Sequence, residues 1–401
     1  MGEDLSGPRA LRHSAGYRLL IAASVGRLPY AMNVVGVFTL LTVTTGSVAT
    51  ASLGSALLGL SVAFGAPAVG WFADRHGDRA ALLVAVPVHC AALIALVAGA
   101  ATGQPYAVLL ALCALAGMTT PQLSPLMRAR WVALLRRRPQ TLPLAMGYES
   151  LLDELSFAVG PIIVGAAASL FNPGAALLAS AAITSVFATL FATDPARTSP
   201  RPRRIGARTG RWVNAEVVIV IVGMLLLGAT FGATLAIVSA YTQRAGIPAS
   251  SGLVYASMAT AAAIASMIVP FLVHRTATSS RWLFGAALVA AGVVSLSASE
   301  NLTSVTIALA VTGLGVGTLM VTIYSIVGRI TPSERMATMM TVLGGVTGLG
   351  SAGAVTIAAQ FAAAGPSGPL TIAATVFAAI VVAIPLLRVL LRTARPVSSR
   401  R

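Results

Sequence analysis

The feature that most constrains this chain is a succession of long apolar runs divided by short polar breaks. Twelve runs are read, at about 18–43, 47–73, 80–101, 105–127, 144–170 and 174–193, then 214–240, 250–273, 282–299, 302–327, 337–361 and 369–391. Each is near the ~20 residues that an α-helix needs to cross the hydrocarbon of a bilayer. Only 9% of the 401 residues are charged, against about 25% in soluble proteins. The fold class that follows is an all-α polytopic membrane protein with twelve transmembrane helices.

The runs fall into two sets of six. Thr193 to Arg211 is rich in Arg, Pro, Ser and Thr and is the only long polar linker in the sequence. The expected domains are therefore an N-terminal six-helix bundle over 1–193 and a basic cytosolic linker over 194–213. A C-terminal six-helix bundle over 214–401 follows, ending in a short basic tail.

Charge gives the orientation. All 27 basic residues are arginines, and 25 fall on one side if the N-terminus is cytosolic; Arg244 is external and Arg27 lies deep in the first run. Positive loops stay in the cytosol, so both termini are expected there. The net charge of +16 thus serves topology and contact with anionic lipid, not nucleic-acid binding. Met1 to Arg18 reads as a cytosolic tail rather than a cleaved signal peptide. An all-Arg, Ala- and Gly-rich composition points to a bacterial cytoplasmic (inner) membrane.

Between the second and third runs stands Gly70-Trp71-Phe72-Ala73-Asp74-Arg75-His76-Gly77-Asp78-Arg79. Its charges cannot lie in hydrocarbon, so it is a short turn at a membrane face. Gly77 suits a tight reversal, and Gly70, one turn before Asp74, lets a neighbouring helix approach. The pattern G-x-x-x-D-R-x-G-x-R resembles the signature loop of the major facilitator superfamily. Gly70, Asp74, Arg75, Gly77 and Arg79 match it, and Asp78 stands where a second basic residue is common. The resemblance implies two pseudo-symmetric bundles of parallel topology around a central cavity, with this loop as a cytosolic gating motif. A degenerate copy, Pro270 to Arg275, closes the eighth run 200 residues later.

Arg27 carries the most information of any single residue. It lies about 14 Å into the first span at helical rise, where an arginine needs a carboxylate partner or a water cavity. The candidate partners are Glu149, Asp153 and Glu154 near the start of the fifth span. Glu149 and Asp153 share a helix face, and Glu154 is turned about 100° from Asp153. These four residues are the candidates for proton coupling, since paired buried acids titrate nearer neutrality. Gly160, Pro161 and Gly165 resemble the fifth-span signature of the proton-coupled exporters of the superfamily, with Ser156 and Val164 in place of two further glycines. That partial match implies export.

Tyr30, Met32 and Asn33, just beyond Arg27, and Gln122 are candidates for a substrate cavity; Pro121 and Pro125 around Gln122 point to a broken segment in the fourth span. Arg128 and Arg130 read as interfacial, with a topology role. Cys90 and Cys113 lie inside apolar runs and indicate neither a disulfide framework nor a metal site. No Walker loop, dinucleotide fingerprint or metal cluster is present, so no cofactor, ATP drive or enzymatic activity is implied. The function expected is secondary active transport of a small molecule, as a monomeric proton-coupled efflux antiporter working by alternating access. The rivals are a proton symporter or facilitator for nutrient uptake and a non-transporting membrane sensor or assembly protein.

Overall fold

A computed structural model describes residues 8–194, 215–246, 251–272, 276–299 and 301–362. The expected linker over 194–213, but for Asp194, and the twelfth run over 369–391 lie outside the described residues. Among those described, eleven helical segments are long and apolar enough to cross a membrane. Large apolar side chains such as Phe64, Val84 and Ile94 are more than half exposed, which suits contact with lipid rather than water.

The spans are built from α1 (Pro8–Val25), α2 (Leu28–Thr45), α3 (Val48–His76), α4 (Asp78–Ala101), α5 (Tyr106–Met118), α6 (Leu123–Leu134), α7 (Leu142–Leu170) and α8 (Ala175–Ala192). Then come α9 (Ala215–Arg244), α10 (Ser251–Leu272), α11 (Thr278–Ser297), α12 (Leu302–Ile330) and α13 (Met336–Ala362). Two spans are broken: α1 and α2 together form the first, α5 and α6 the fourth. Helix begins earlier than the polar N-terminus suggests, at Pro8, and turns at Gly16 (φ 74°, ψ 157°) before the first span.

Local chemistry fixes the ends. The Ser47 hydroxyl accepts from the Thr50 amide at 3.2 Å to start α3. Asn301 and Ser304 form a reciprocal capping box at the start of α12. Between α3 and α4 a single residue, Gly77, makes the reversal at φ 86°, ψ 151°. That region is open essentially to glycine alone.

The chain divides into two compact units. The first takes the described residues within Met1–Ala145, Leu152–Arg208 and Pro332–Gly348. Its core is a contiguous cluster including Val37, Leu41, Leu58, Leu93, Leu96, Cys113 and Leu177. The second takes those within Met146–Leu151, Thr209–Thr331 and Leu349–Arg401. There α12 is the central helix, its backbone lying against α10 at Gly313 and Gly317 and against α11 at Gly315. Val238, Met258, Leu296 and Leu309 fill the space around it. Small residues permit this approach where lipid supplies no hydrophobic drive between helices.

Candidate functional site

The site begins with two helix breaks in the first unit. In the first span, Pro29 has no amide to give, and α1 stops at Val25. Arg27, at the junction, turns back so that its Nε donates to the Ala23 carbonyl at 3.0 Å. In the fourth span, Pro121 ends α5 in the same way. The Thr120 amide bonds the Gly117 carbonyl at 3.2 Å, and the Ala116 carbonyl instead receives the Thr120 hydroxyl at 2.9 Å. His89 Nδ1 fills the same carbonyl from α4, at 2.8 Å. Gln122 is buried and donates to the Thr120 carbonyl at 3.0 Å, closing the broken loop on itself.

Around these breaks the charged side chains converge. Arg27 Nη1 donates to Asp153 Oδ1 at 2.9 Å, and Arg128 Nη2 donates to Asp153 Oδ2 at 2.8 Å. The Ser124 hydroxyl adds a third bond to Oδ2 at 3.1 Å, and Arg128 Nη1 donates in turn to Ser124 Oγ. The two arginine side chains are 3% and 1% exposed, whereas Asp153 is 23% exposed. The guanidiniums thus form the buried wall, and the carboxylate is the part within reach of an incoming group. One carboxylate between two buried guanidiniums is a costly arrangement that persists because each charge is hydrogen-bonded. Glu154 follows it on α7, half-buried, and Glu149, one turn earlier, is fully buried.

Of the three acids proposed for Arg27, the structure brings Asp153 to it. Arg128 differs from its interfacial reading: it is buried within the centre. Ser124 and Arg128 stand at i and i+4 on α6, so one helix face brings both to Asp153. Arg130 meets the membrane-face turn, as an interfacial arginine would, but is buried in the protein there. Its Nε donates to Asp78 Oδ2 at 2.5 Å, and its guanidinium stacks 3.8 Å from the Phe191 ring centre. Asp78, the departure from the signature loop, is therefore the partner of an arginine in the fourth span.

A second polar chain runs deeper. Asn33 is 1% exposed, its Nδ2 meets His89 Nε2 at 3.2 Å, and its Oδ1 accepts from the Ser180 hydroxyl at 2.5 Å. Asn33 also lines a small recess with Tyr30, Val34, Leu58 and Thr120. Tyr30 meets Phe157 of α7 edge-on at 6.0 Å, while Met32 is wholly buried against Val164 and Ala176. His89 was missed by sequence reasoning, since a lone histidine in an apolar run announces no partner.

The loop motif forms a third feature. Asp74 Oδ1 accepts the Ala337 amide at 3.0 Å, and Oδ2 accepts the Thr338 amide at 2.7 Å and its hydroxyl at 2.5 Å. These donors belong to the first turn of α13, so Asp74 caps that helix from outside, where its positive end favours an anion. Gly70 makes room: a side chain there would meet Thr341 and the Ala337 carbonyl. Arg75 and Arg79 are exposed, with Arg75 over the Trp71 ring at 5.1 Å.

Residues 19–354 match the profile of the Major Facilitator Superfamily. The chain belongs to that superfamily. As a facilitator it is a membrane-embedded secondary transporter of small molecules, not an enzyme. Solved structures agree on the fold. A bacterial homologue of the iron transporter ferroportin, outward-facing with soaked iron, is 16% identical over 94% of this chain and 99% of that one, with a TM-score of 0.72. The human organic anion transporter MFSD10 is 16% identical over 95% and 100%, with a TM-score of 0.71. The proton:xylose symporter XylE is 11% identical over 94% and 96%, with a TM-score of 0.74. No curated protein matches the sequence.

In this facilitator the fifth-span motif contributes packing. Gly160 lies against Ala31 and Met32 of α2, Gly165 faces open space, and α7 runs unbroken through Pro161. Among the described residues no group of three or more His, Cys, Asp and Glu side chains comes together to hold a metal ion.

Proposed function

We propose that this facilitator is a proton-coupled efflux antiporter of the bacterial cytoplasmic membrane, acting as a monomer with both termini cytosolic. The observation that carries the reading is Asp153 held between Arg27 and Arg128, with Glu154 beside it, where two spans are broken. Antiport needs a site that accepts a proton or a substrate but not both. A carboxylate pair on α7, half open and backed by fixed guanidiniums, meets that need. A proton arriving on one acid removes a charge beside two arginines, and a substrate displacing it restores the balance.

Alternating access needs contacts that form in one state and break in the other. The bonds from Asp74 to the first turn of α13 are of that kind: three hydrogen bonds on one side chain, made to backbone and hydroxyl groups. We read Asp74, with Gly70 and Gly77 setting its approach, as the cytosolic latch, and Arg75 and Arg79 as its contact with lipid headgroups. Tyr30 and Gln122 are the wall of the substrate path.

The test is the interior pH of everted vesicles energised by respiration, followed as a panel of lipophilic compounds is added. Compound-dependent proton release from the interior is the expected result. Silence across a broad panel, with the protein shown to be folded and inserted, argues instead for uptake.

A further inference from the structure

His89 is fully buried, and the coupling scheme above makes no use of it. Its hydrogen bonds assign its chemistry. A carbonyl oxygen can only accept, so the bond to Ala116 puts the ring proton on Nδ1. Nε2 of the neutral ring then accepts from the Asn33 amide nitrogen, which leaves Asn33 Oδ1 to accept from Ser180. With Asn33 turned this way, each of these three bonds has one donor and one acceptor when the ring is neutral. A second ring proton would set Nε2–H against Asn33 N–H.

Among the described residues, no ion pair or hydrogen bond from a charged side chain reaches His89. The titratable side chains on the helices packed around α4 are Tyr30 on α2, Asp74, Arg75 and His76 at the end of α3, and Tyr106 and Cys113 on α5, with Cys90 beside His89 on α4 itself; α8 carries none. Asp78 and Arg79 stand at the start of α4, about 15 Å away along the helix, and Arg27 precedes Asn33 by about 9 Å at the same rise.

What the ring does hold is a helix end. The break at Pro121 frees the Ala116 carbonyl, and His89 with Asn33 ties that broken end to the first span. Beyond the break, α6 carries Ser124 and Arg128, and below Asn33 the first span carries Arg27. All three grip Asp153. The same two broken spans are therefore joined twice, once by the neutral chain and once by the charged centre.

We propose that His89 is a positioning residue: its neutral, Nδ1-protonated ring fixes the break in the fourth span against the first and so keeps Ser124 and Arg128 on Asp153. The importance of this for transport rests on the antiport reading, but the test does not. Full-length protein in lipid nanodiscs, labelled with ¹⁵N-histidine, is expected to show one ring in the Nδ1–H tautomer from about pH 5 to about pH 8, the range in which free histidine titrates. That signal should vanish in His89→Asn. If the signal lost in His89→Asn belongs instead to an Nε2–H tautomer, or titrates in that range, the assignment is overturned.

The positioning role is read with dicyclohexylcarbodiimide, which modifies protonated carboxyls, and mass spectrometry of Asp153. His89→Leu removes the tie and should raise the rate of Asp153 modification about fivefold, the scale of one lost hydrogen bond, and alter its pH profile. His89→Asn puts an amide donor where Nδ1 stands and should stay within about twofold of the parent. Equal rates in parent and His89→Leu, or an Asn variant as reactive as Leu, overturn the proposal. Should His89→Leu fail to fold, Asn33→Leu cuts the same tie with His89 in place, and an unchanged Asp153 rate there overturns it equally. A parent protein that moves no protons refutes antiport and leaves this comparison readable.

Discussion

Asp153 and Arg27, 126 residues apart, meet at 2.9 Å because the first span breaks at the arginine. The break turns Arg27 Nε onto the Ala23 carbonyl and leaves its Nη1 to reach α7.

Asp153→Asn removes a carboxylate charge that both guanidiniums share in this centre. Loss of a partner from a buried pair costs about 3–5 kcal/mol, and a surviving amide should recover part of that. The variant is expected to lose proton-driven transport and to melt several degrees lower in a detergent thermal-shift assay. An unchanged melting temperature together with unchanged drive would remove Asp153 from the mechanism.

Glu154→Gln should behave differently. No hydrogen bond or ion pair to Glu154 is found among the described residues, so stability should change by no more than about 0.5 kcal/mol, as for substitutions away from networks. Proton coupling should nevertheless be lost or uncoupled from substrate exchange. The check is the ratio of proton to substrate flux, measured beside the melting curve of the same preparation.

Asp74→Asn keeps the size of the side chain but withdraws the anion from the first turn of α13. A helix-terminus charge is worth about 0.3–1 kcal/mol, up to about 2 when partly buried. We expect a modest loss of stability and a larger change in turnover, since the latch would be weakened in one state alone. Gly70→Val should be more severe, because its side chain would collide with Thr341 and the Ala337 carbonyl. Thermal-shift and transport assays on both variants check the order.

Gly77→Ala places a side chain at φ 86°, ψ 151°. Strain of this kind costs about 1–3 kcal/mol. The variant should express at lower yield and melt earlier, with its residual transport per folded molecule near that of the parent. A melting temperature equal to that of the parent would show that the turn relaxes.

The general plan was legible because lipid permits so few solutions: eleven of the apolar runs fall on eleven helical segments. The need of Arg27 for an acid was legible from its depth, and Pro121 signalled the break in the fourth span. That Asp153 would meet both arginines was not, since Glu149, Asp153 and Glu154 lie within six residues and their facing depends on how α7 is rotated against the first span. Arg128 and Arg130 misled for a physical reason. They sit near a run's end, where arginines usually fix topology, but both are buried against acids, Arg128 on Asp153 and Arg130 on Asp78. The partners of His89 and Asp78 could not be read, because Ala116 and Arg130 are 27 and 52 residues away and marked by no local pattern.

The most direct test of the central claim is proton flux into proteoliposomes driven by an outward substrate gradient, using any compound that responds in the vesicle screen. Parent protein is compared with the double variant Asp153→Asn/Glu154→Gln. The account predicts proton movement opposite to substrate in the parent and none in the double variant, even where that variant still exchanges substrate. Proton movement in the same direction as substrate, or coupling that survives loss of both acids, would contradict it.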